Sequence, residues 1–416
     1  MKVVLSHLTG NANVKAAAYG FAEAALMAKF HVSLAAFPGT LLDKLSYTKP
    51  FSEISRRKFD VSIKPYVELW PWMELGRLMA SKMGLSKLTR EKGMFYIDAV
   101  CRNLDKRVAS KLKYAKTRGA SAIYAYEDVA EFSFRQAKKM GLQCLYDMPI
   151  GYWRAARRLL EIERERWPEW ESTLTGFRDS KIKVTRKDSE LHMADRIFAA
   201  STFTADTLRD FPHMLAPVEI IPYGFPPVVG AVKKYSTAAG ARPLKLLFVG
   251  SLSQRKGIAN LFVAVNSFKH HVSLTLVGRK SVDDCAVLNA ELAKHNWIPT
   301  LPHDEVLRLM RESDVLIFPS LFEGFGLVIT EAMSQGTPVI TTERTAGPDI
   351  ITHGKNGWLV KAGSILGIQD TIEELLIGPH KIENAGRAAM NTAAKRPWEV
   401  YGAELANAVI KHLELC

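Results

Sequence analysis

The sequence predicts an α/β fold of two domains, each with a doubly wound parallel sheet, that face each other across a cleft. The chain has 416 residues, which is too long for one ordinary hydrophobic core. Short apolar runs alternate along it with longer segments of helical period, a pattern typical of parallel strands joined by crossover helices. Because such sheets bind ligands at the carboxyl ends of their strands, we expect the functional site in the cleft.

A stretch rich in Pro, Gly and small residues divides the chain near its middle. Such a composition is typical of a linker between compact units. We therefore assign residues 1–228 to a first domain, residues 229–243 to the linker and residues 244–397 to a second domain.

The short apolar runs are the candidate strands, and the segments of helical period between them are the candidate helices. Strands are predicted over residues 2–6, 32–37, 122–126, 143–146, 196–200, 218–221, 245–249, 273–277, 315–318, 338–341 and 358–360. Predicted helices include residues 14–29, 132–140, 258–268, 304–311 and 327–335.

The formal net charge is +13, and most of it lies in one segment. Residues 44–118 hold 18 basic and 7 acidic side chains, an excess of +11. Two interpretations remain open: a solvated surface, or a face for an anionic partner. The sequence contains no uninterrupted run of about 18 apolar residues, so we expect no transmembrane helix. The cysteines are scattered, which indicates neither disulfides nor a zinc site, so we expect a cytoplasmic protein.

The most informative segment lies in the second half, where a buried strand is followed by a glycine turn and a helix. The strand over 315–318 ends at Pro319, the turn is Glu323-Gly-Phe-Gly326, and helical spacing begins at Leu327. Unpaired N–H groups at such a helix start form a natural seat for a diphosphate. Glycines let the backbone approach the ligand closely.

Two glutamates, Glu323 in the turn and Glu331 in the helix, could border the same ligand from different elements. A carboxylate near a helix start can accept two hydrogen bonds from a ribose diol. A bare pair at this spacing is more often surface helix charge, so its significance depends on the surrounding motif.

That motif closely resembles the signature of the retaining, GT-B-fold glycosyltransferases of family 4 (the group 1 type). The resemblance is carried by residues 318–340, which read Phe-Pro-Ser-Leu-Phe-Glu-Gly-Phe-Gly-Leu-Val-Ile-Thr-Glu-Ala-Met-Ser-Gln-Gly-Thr-Pro-Val-Ile. Residues 346–360 and 246–257 resemble the family's following segment and its phosphate loop. The resemblance implies a GT-B fold, whose terminal helix over 398–416 would return to the first domain. It also implies a nucleotide diphosphosugar donor, retention of configuration and no metal or other cofactor.

The resemblance also implies roles for individual residues on the donor side. Glu331 would hold the ribose, Glu323 would contact the donor sugar, and Lys256 would lie on the pyrophosphate, where a cation stabilises the leaving group. The remaining donor-binding candidates come from the two glycine-containing loops: Gly250, Ser251, Gly324, Phe325, Gly326 and Leu327. Ser251 stands where the family usually has an arginine, and we expect Arg255 to supply that charge.

The first domain would bind the acceptor. Gly10 and Asn13 stand where the family has a glycine-rich loop bordering the donor phosphates and the acceptor, although Asn13 is also a plausible helix cap. Asp147 stands near the family's usual histidine, at the end of a strand, and we expect it to point into the cleft as a fourth catalytic candidate beside Glu323, Lys256 and Arg255. A helix or turn cap is the alternative role for Asp147, and Glu127 and Asp128 are further acidic candidates at the same edge.

Within the basic segment 44–118, aromatic residues and methionines alternate with lysines and arginines from Tyr66 to Lys92. Such a stretch is typical either of a core face with a wet outer side or of a peripheral membrane contact. Residues 154–187 have mixed charge and predict a solvated helix.

The sequence therefore predicts a glycosyltransferase acting in bacterial-type cell-envelope or polysaccharide synthesis. Its partners would be a nucleotide sugar and a glycan, lipid-linked or other anionic acceptor, with contact to the inner face of an anionic membrane through 44–118 and no nucleic acid. Two alternatives remain: a GT-B-fold sugar-nucleotide epimerase and a basic nucleic-acid-binding protein.

Overall fold

The computed structural model describes residues 1–46, 54, 57–228, 233–235 and 242–416. Most of the predicted linker 229–243 and part of the basic segment 44–118 therefore lie outside the described residues.

In the described part of the first domain, seven parallel strands form one sheet in the order β3-β2-β1-β4-β5-β6-β7. The strands are β1 (Lys2–His7), β2 (Met27–Val32), β3 (Val67–Leu69), β4 (Ala120–Tyr126), β5 (Gln143–Met148), β6 (Arg196–Ala199) and β7 (Val218–Ile220). Helices pack on both faces. They are α1 (Ala12–Glu23), α2 (Leu41–Ser46), α3 (Trp72–Lys82), α4 (Ser86–Thr89), α5 (Ile97–Thr117), α6 (Glu131–Lys139), α7 (Trp153–Arg166), α8 (Lys181–Met193) and α9 (Thr202–Thr207).

The second strand differs from its prediction. We expected a helix up to residue 29 and a strand over 32–37, but α1 ends at Glu23 and β2 begins at Met27. Ala25 adopts a φ of +53° and breaks the helix. Pairing of β2 with the central strand β1 buries Phe30 completely, so tertiary packing overrides the helical period of this segment. The short edge strand β3 was not predicted.

The second domain repeats the architecture with six parallel strands among its described residues, in the order β10-β9-β8-β11-β12-β13. They are β8 (Leu244–Val249), β9 (Val272–Val277), β10 (Asn296–Ile298), β11 (Val315–Phe318), β12 (Val339–Thr342) and β13 (Trp358–Val360), of which β10 was not predicted. The helices are α10 (Ile258–Asn266), α11 (Ala286–Leu292), α12 (His303–Glu312), α13 (Leu327–Ser334), α14 (Gly347–Ile350), α15 (Ile365–Ile377), α16 (His380–Ala394) and α17 (Trp398–Glu414).

The last helix, α17, packs against α1 of the first domain rather than against the second domain that precedes it. The two helices approach so closely that a Cβ on Gly20 would lie 2.2 Å from the carbonyl oxygen of Gly402. Glycine at both positions therefore permits a backbone-to-backbone contact. This contact ties the end of the chain to its beginning.

Residues 153–178, named here the strap segment, make a second connection between the domains. They belong to the first domain and pack against the second. Trp170 is 3% exposed and belongs to the hydrophobic core of the second domain. Glu163 accepts a hydrogen bond from the Gln254 side chain at 3.0 Å, and Thr173 accepts one from the Gln254 backbone at 2.9 Å. The expectation of a solvated helix over 154–187 is therefore wrong, because the segment is divided into α7, two short 3-10 turns and α8, and Glu163 and Thr173 contact the second domain.

None of the helices formed by the described residues is both long and apolar enough to cross a membrane.

Candidate active site between the two domains

In each sheet the chain order of the strands reverses at the centre. The reversal lies between β1 and β4 in the first domain and between β8 and β11 in the second. Ligands of doubly wound sheets bind at these switch points, beyond the carboxyl ends of the strands. The loops that follow β1, β8 and β11 meet in the cleft between the domains, and they line a cavity of about 450 Å³. We name this cavity the donor pocket.

The loop between β11 and α13 adopts the strand, glycine turn and helix arrangement that the sequence predicts. Gly326 directly precedes α13 with a φ of +88°, a conformation that favours glycine. Gly257, in the loop after β8, has a φ of +70°, and a Cβ there would lie 2.1 Å from the carbonyl oxygen of Pro319. The close approach of the two loops therefore depends on Gly257, whereas Gly326 permits the turn into α13.

Three charged side chains from these two loops form one cluster. The ammonium group of Lys256 forms an ion pair with the carboxylate of Glu323. The Arg255 guanidinium donates to the carbonyl oxygen of Phe322 at 2.7 Å and lies 3.5 Å from the same carboxylate. The structure thus brings Glu323 together with the adjacent residues Arg255 and Lys256, which lie far from it in the sequence.

Burial gives this cluster its electrostatic character. It lowers the pKa of Lys256 well below its usual value, and the neighbouring Arg255 lowers the pKa further. Burial also lowers the pKa of Arg255. Two poorly hydrated cations beside a single carboxylate leave an excess positive charge. A diphosphate placed here would favour the charged form of Lys256.

Glu331 lies on α13, beyond the lining of the donor pocket, and is half-buried. Burial raises its pKa, and His303, whose Nδ1 lies 3.9 Å from the Glu331 carboxylate, lowers it. His303 is the first residue of α12, so the Glu331 carboxylate lies beside the amino end of that helix.

The loop after β8 departs from the family pattern at one position. Gly250 and the exposed Ser251 line the donor pocket, and the Gly250 N–H donates to the Val277 carbonyl at 2.9 Å. Arg255, four residues later, lines the same pocket. A guanidinium is therefore present beside Ser251, although it starts from a different backbone position.

The other expected donor residues divide into two groups. Phe325, Gly326 and Leu327 line the donor pocket. Gly324 instead contacts the first domain: a Cβ there would lie 1.9 Å from the Pro149 carbonyl oxygen, and its own carbonyl accepts a hydrogen bond from Thr204 at 2.8 Å. Its backbone therefore holds the domains together rather than lining the pocket.

The first domain contributes Asn13 to the donor pocket, but not as the helix cap considered from the sequence. Asn11 occupies the cap position. The buried Asn13 amide donates to the Tyr223 hydroxyl at 3.2 Å. Gly10 packs against the Phe59 ring, to which an added Cβ would come within 2.4 Å. Gly10 therefore allows the loop after β1 to pass close to the Phe59 ring.

Asp147 does not point into the cleft, contrary to our expectation. It lies in β5, is 3% exposed, and its carboxylate accepts a hydrogen bond from the Tyr124 hydroxyl at 2.5 Å. Burial raises its pKa from 3.8 to about 7, although hydrogen bonds from Tyr124 and Tyr126 oppose the increase. The register of β5 places this side chain against its neighbouring strand, β4, inside the core.

Glu127 and Asp128 are also engaged within the first domain rather than open to the cleft. Glu127 forms an ion pair with Lys187 at 2.7 Å, and Asp128 forms one with Arg186. Both basic residues lie on α8 and are buried. The acidic residues therefore neutralise buried cations, a pairing that sequence spacing could not reveal.

Two pocket residues were missed by the sequence analysis. His7 ends β1, lines the donor pocket and packs edge-on against the Tyr126 ring, and burial lowers its pKa to about 4. Tyr223 follows β7 and packs its ring 4.9 Å from that of Phe325. Their positions directly after strands were the only signal available.

Comparison with known proteins identifies the second half of the chain. Residues 217–393 match the model of the family described as glycosyl transferases group 1. This match spans nearly all of the second domain, which is therefore similar to group 1 glycosyltransferases. Glycogen synthase of Mycobacterium tuberculosis is 27% identical to the chain over 154 residues, which are 35% of this chain and 37% of that protein. The chain thus aligns with little more than a third of this curated relative's length.

Solved structures resemble the whole chain, including its first domain. Sucrose-phosphate synthase from Thermosynechococcus elongatus superposes with a TM-score of 0.64 and 16% identity, covering 100% of both chains. Anabaena HepE in complex with UDP superposes with a TM-score of 0.63 and 15% identity, covering 99% of this chain and 100% of that one. These likenesses confirm the predicted GT-B fold of two Rossmann-like domains.

Proposed function

We propose that the protein is a retaining glycosyltransferase that moves a sugar from a nucleotide diphosphosugar to an acceptor hydroxyl. The observation that carries this proposal is the cluster of Lys256, Arg255 and Glu323 in the donor pocket, beside the amino end of α13. Two cations and free backbone N–H groups suit a diphosphate, and the carboxylate suits sugar hydroxyls.

In the transfer step, the bond between the donor's anomeric carbon and the diphosphate oxygen breaks. A bond forms between that carbon and the acceptor oxygen on the same face. The proton of the acceptor hydroxyl passes to the departing diphosphate, which serves as the base. Lys256 and Arg255 stabilise the charge that develops on the leaving group. Because these cations supply positive charge at the diphosphate, we propose that the reaction needs no metal or other cofactor.

Two similar proteins support a choice of donor and of pathway. HepE binds UDP, so a uridine diphosphate sugar is the first donor to test. Glycogen synthase is by name a polysaccharide-forming enzyme, which supports a role in polysaccharide or cell-envelope glycan synthesis. Glu331 is the residue we assign to the ribose.

We also propose that the protein works at the cytoplasmic face of an anionic membrane. Three apolar side chains of α3 and the turn after it are exposed: Trp72 by 68%, Met79 by 62% and Met83 by 68%. The exposed basic residues of the same surface are Lys82, Lys87, Arg90 and Lys92. Apolar side chains that insert among lipids and cations that meet anionic headgroups are the two components of peripheral membrane binding.

The enzymatic proposal is tested by thermal shift with UDP, GDP and ADP, followed by incubation with the sugar nucleotide of the base that binds. Stabilisation by one nucleoside diphosphate and sugar transfer that depends on an added acceptor are expected. Chemical change of the sugar nucleotide without any acceptor would instead indicate an epimerase. No stabilisation by any of the three nucleotides would contradict the proposal.

A further inference from the structure

A second cavity, of about 430 Å³, lies beside the donor pocket, and we name it the basic pocket. The strap segment forms one wall through Trp153, Arg157 and Phe177, and the start of α8 forms another through Lys183 and Lys187. The second domain closes it with Ser251, Ser253, Arg255, Ser281 and Phe322.

The lining of the basic pocket carries excess positive charge. Among the described residues, its charged members are Arg157, Lys183, Lys187, Arg255 and a single carboxylate, Asp179. Lys187 is buried and pairs with Glu127 at 2.7 Å, and Lys183 pairs with Asp179 at 2.8 Å. Even with both pairs counted as neutral, two guanidinium groups face the cavity.

Arg157 is the group best placed to meet a ligand. Its guanidinium donates to the backbone carbonyl oxygen of Asp179 at 3.2 Å and lies 4.9 Å from the centroid of the Trp153 ring. Within the part of the chain that the structure describes, these contacts include no carboxylate. An arginine held by a ring and a carbonyl is oriented but not neutralised, which is the state that favours a bidentate contact with phosphate.

The two cavities share Ser251 and Arg255. A ligand in the basic pocket would therefore lie next to the diphosphate of a bound donor. The aromatic walls, Trp153, Phe177 and Phe322, suit the apolar face of a sugar or a hydrocarbon. The position, the charge and the walls together match an acceptor rather than a second nucleotide.

We infer that the basic pocket binds a phosphate group of the acceptor, with Arg157 and Lys183 as its ligands, and that the acceptor of this enzyme is therefore a phosphorylated sugar or a lipid-linked sugar phosphate. This inference rests on the proposed transferase function and names the acceptor class for it.

The test is titration calorimetry with glucose 6-phosphate, carried out with the donor pocket saturated by the nucleoside diphosphate that binds best. Methyl glucoside is the neutral comparison ligand. We expect heat from glucose 6-phosphate alone, and weakening of about tenfold or more in Arg157→Gln and in Lys183→Gln, since each removes a charge-assisted contact. Arg158→Gln is the matched control, because Arg158 is the next residue of α7 but pairs with Asp210 at 2.8 Å on the surface.

Nucleotide affinity, measured for every variant, separates this inference from the proposed function. A wild-type protein that binds the nucleotide but gives no heat with either millimolar glucose 6-phosphate or a polyprenyl phosphate would overturn the inference alone. So would equal weakening by the Arg158 variant, or loss of glucose 6-phosphate binding on nucleotide saturation, which would place the phosphate in the donor pocket. Failure of every nucleotide to bind would instead reject the transferase function. A lipid-linked source is distinguished by repeating the titration with a polyprenyl phosphate in detergent.

Discussion

The ammonium group of Lys256 forms an ion pair with the carboxylate of Glu323 and joins the loop after β8 to the loop after β11. The two loops also touch directly, because Gly257 packs against Pro319. In the function we propose, the pair would place a cation for the leaving diphosphate and a carboxylate for the donor sugar at one point. The contribution of this arrangement can be measured through nucleotide binding alone.

Replacing Lys256 should remove the preference for a second phosphate. We expect Lys256→Ala to reduce the ratio of nucleoside diphosphate to nucleoside monophosphate affinity by about tenfold or more, because a charge-assisted contact is lost. Calorimetry with both nucleotides measures the ratio. Lys280→Ala is the control, since Lys280 lies over the Trp297 ring outside the donor pocket. An unchanged ratio in Lys256→Ala would place the diphosphate elsewhere.

Replacing Glu331 should abolish stabilisation by nucleotides. Its carboxylate is assigned to the ribose hydroxyls, so Glu331→Ala is expected to remove the increase in Tm that the best nucleotide gives wild-type protein. Glu291→Ala is a matched control, because the Glu291 side chain is 16% exposed against 21% for Glu331 and lies on α11 away from the pocket. Retention of the full Tm increase by Glu331→Ala would mean that the donor site is wrongly assigned.

Asp147 should make wild-type stability decline as pH rises. Its folded pKa of about 7 lies above the usual 3.8, so the folded state holds the proton more tightly. The free energy of unfolding therefore falls as pH rises between these values and stays low above 7, with a penalty on the order of 4 kcal/mol. Asp147→Asn removes this decline, so its stability relative to wild type should increase with pH.

Urea denaturation at about pH 5 and about pH 8 measures the effect of Asp147→Asn. Tyr124→Phe is a useful second variant. It removes a hydrogen bond that lowers the Asp147 pKa, and should therefore make the total decline larger and extend it to higher pH. Parallel stability curves for wild type and Asp147→Asn across this range would contradict the prediction.

Gly20→Ala should weaken the packing of α17 on α1. The new Cβ would lie 2.2 Å from the Gly402 carbonyl oxygen, and the helices must separate to accept it. We expect a loss of about 1–3 kcal/mol in the free energy of unfolding, typical of overpacking. Gly176→Ala is the control, because no atom lies within 4 Å of an added Cβ there. Similar unfolding curves for both variants would show that the helix contact is not tight.

The exposed methionines of the α3 surface should contribute to membrane binding. We expect wild-type protein to float with vesicles containing phosphatidylglycerol and not with phosphatidylcholine alone, and Met79→Ser with Met83→Ser to reduce the floated fraction. Met214→Ser is the control, since Met214 is 93% exposed but lies outside this surface. Equal recovery with both lipids, or no effect of the paired substitutions, would reject the membrane contact.

How far the sequence predicts the candidate site depends on the distance over which each interaction acts. The loop from Pro319 to Leu327 is local, so its strand, glycine turn and helix could be derived from neighbouring residues. Asp147 could not be placed in the same way, because its burial depends on β4 lying beside β5. The sequence around Glu127 does not indicate an ion-pair partner. Lys187 becomes its partner only through the packing of α8.

The sequence by itself determined the two α/β domains and the loop from Pro319 to Leu327, because hydrophobic period and glycine turns are properties of short segments. It also carried the family resemblance that implies the chemistry. Only the tertiary structure decided which charges meet. It paired Lys256 with Glu323, withdrew Asp147 into the core and formed the basic pocket from the strap segment, α8 and the second domain. These contacts join residues far apart in the chain. Their energies depend on burial, which no local sequence pattern indicates.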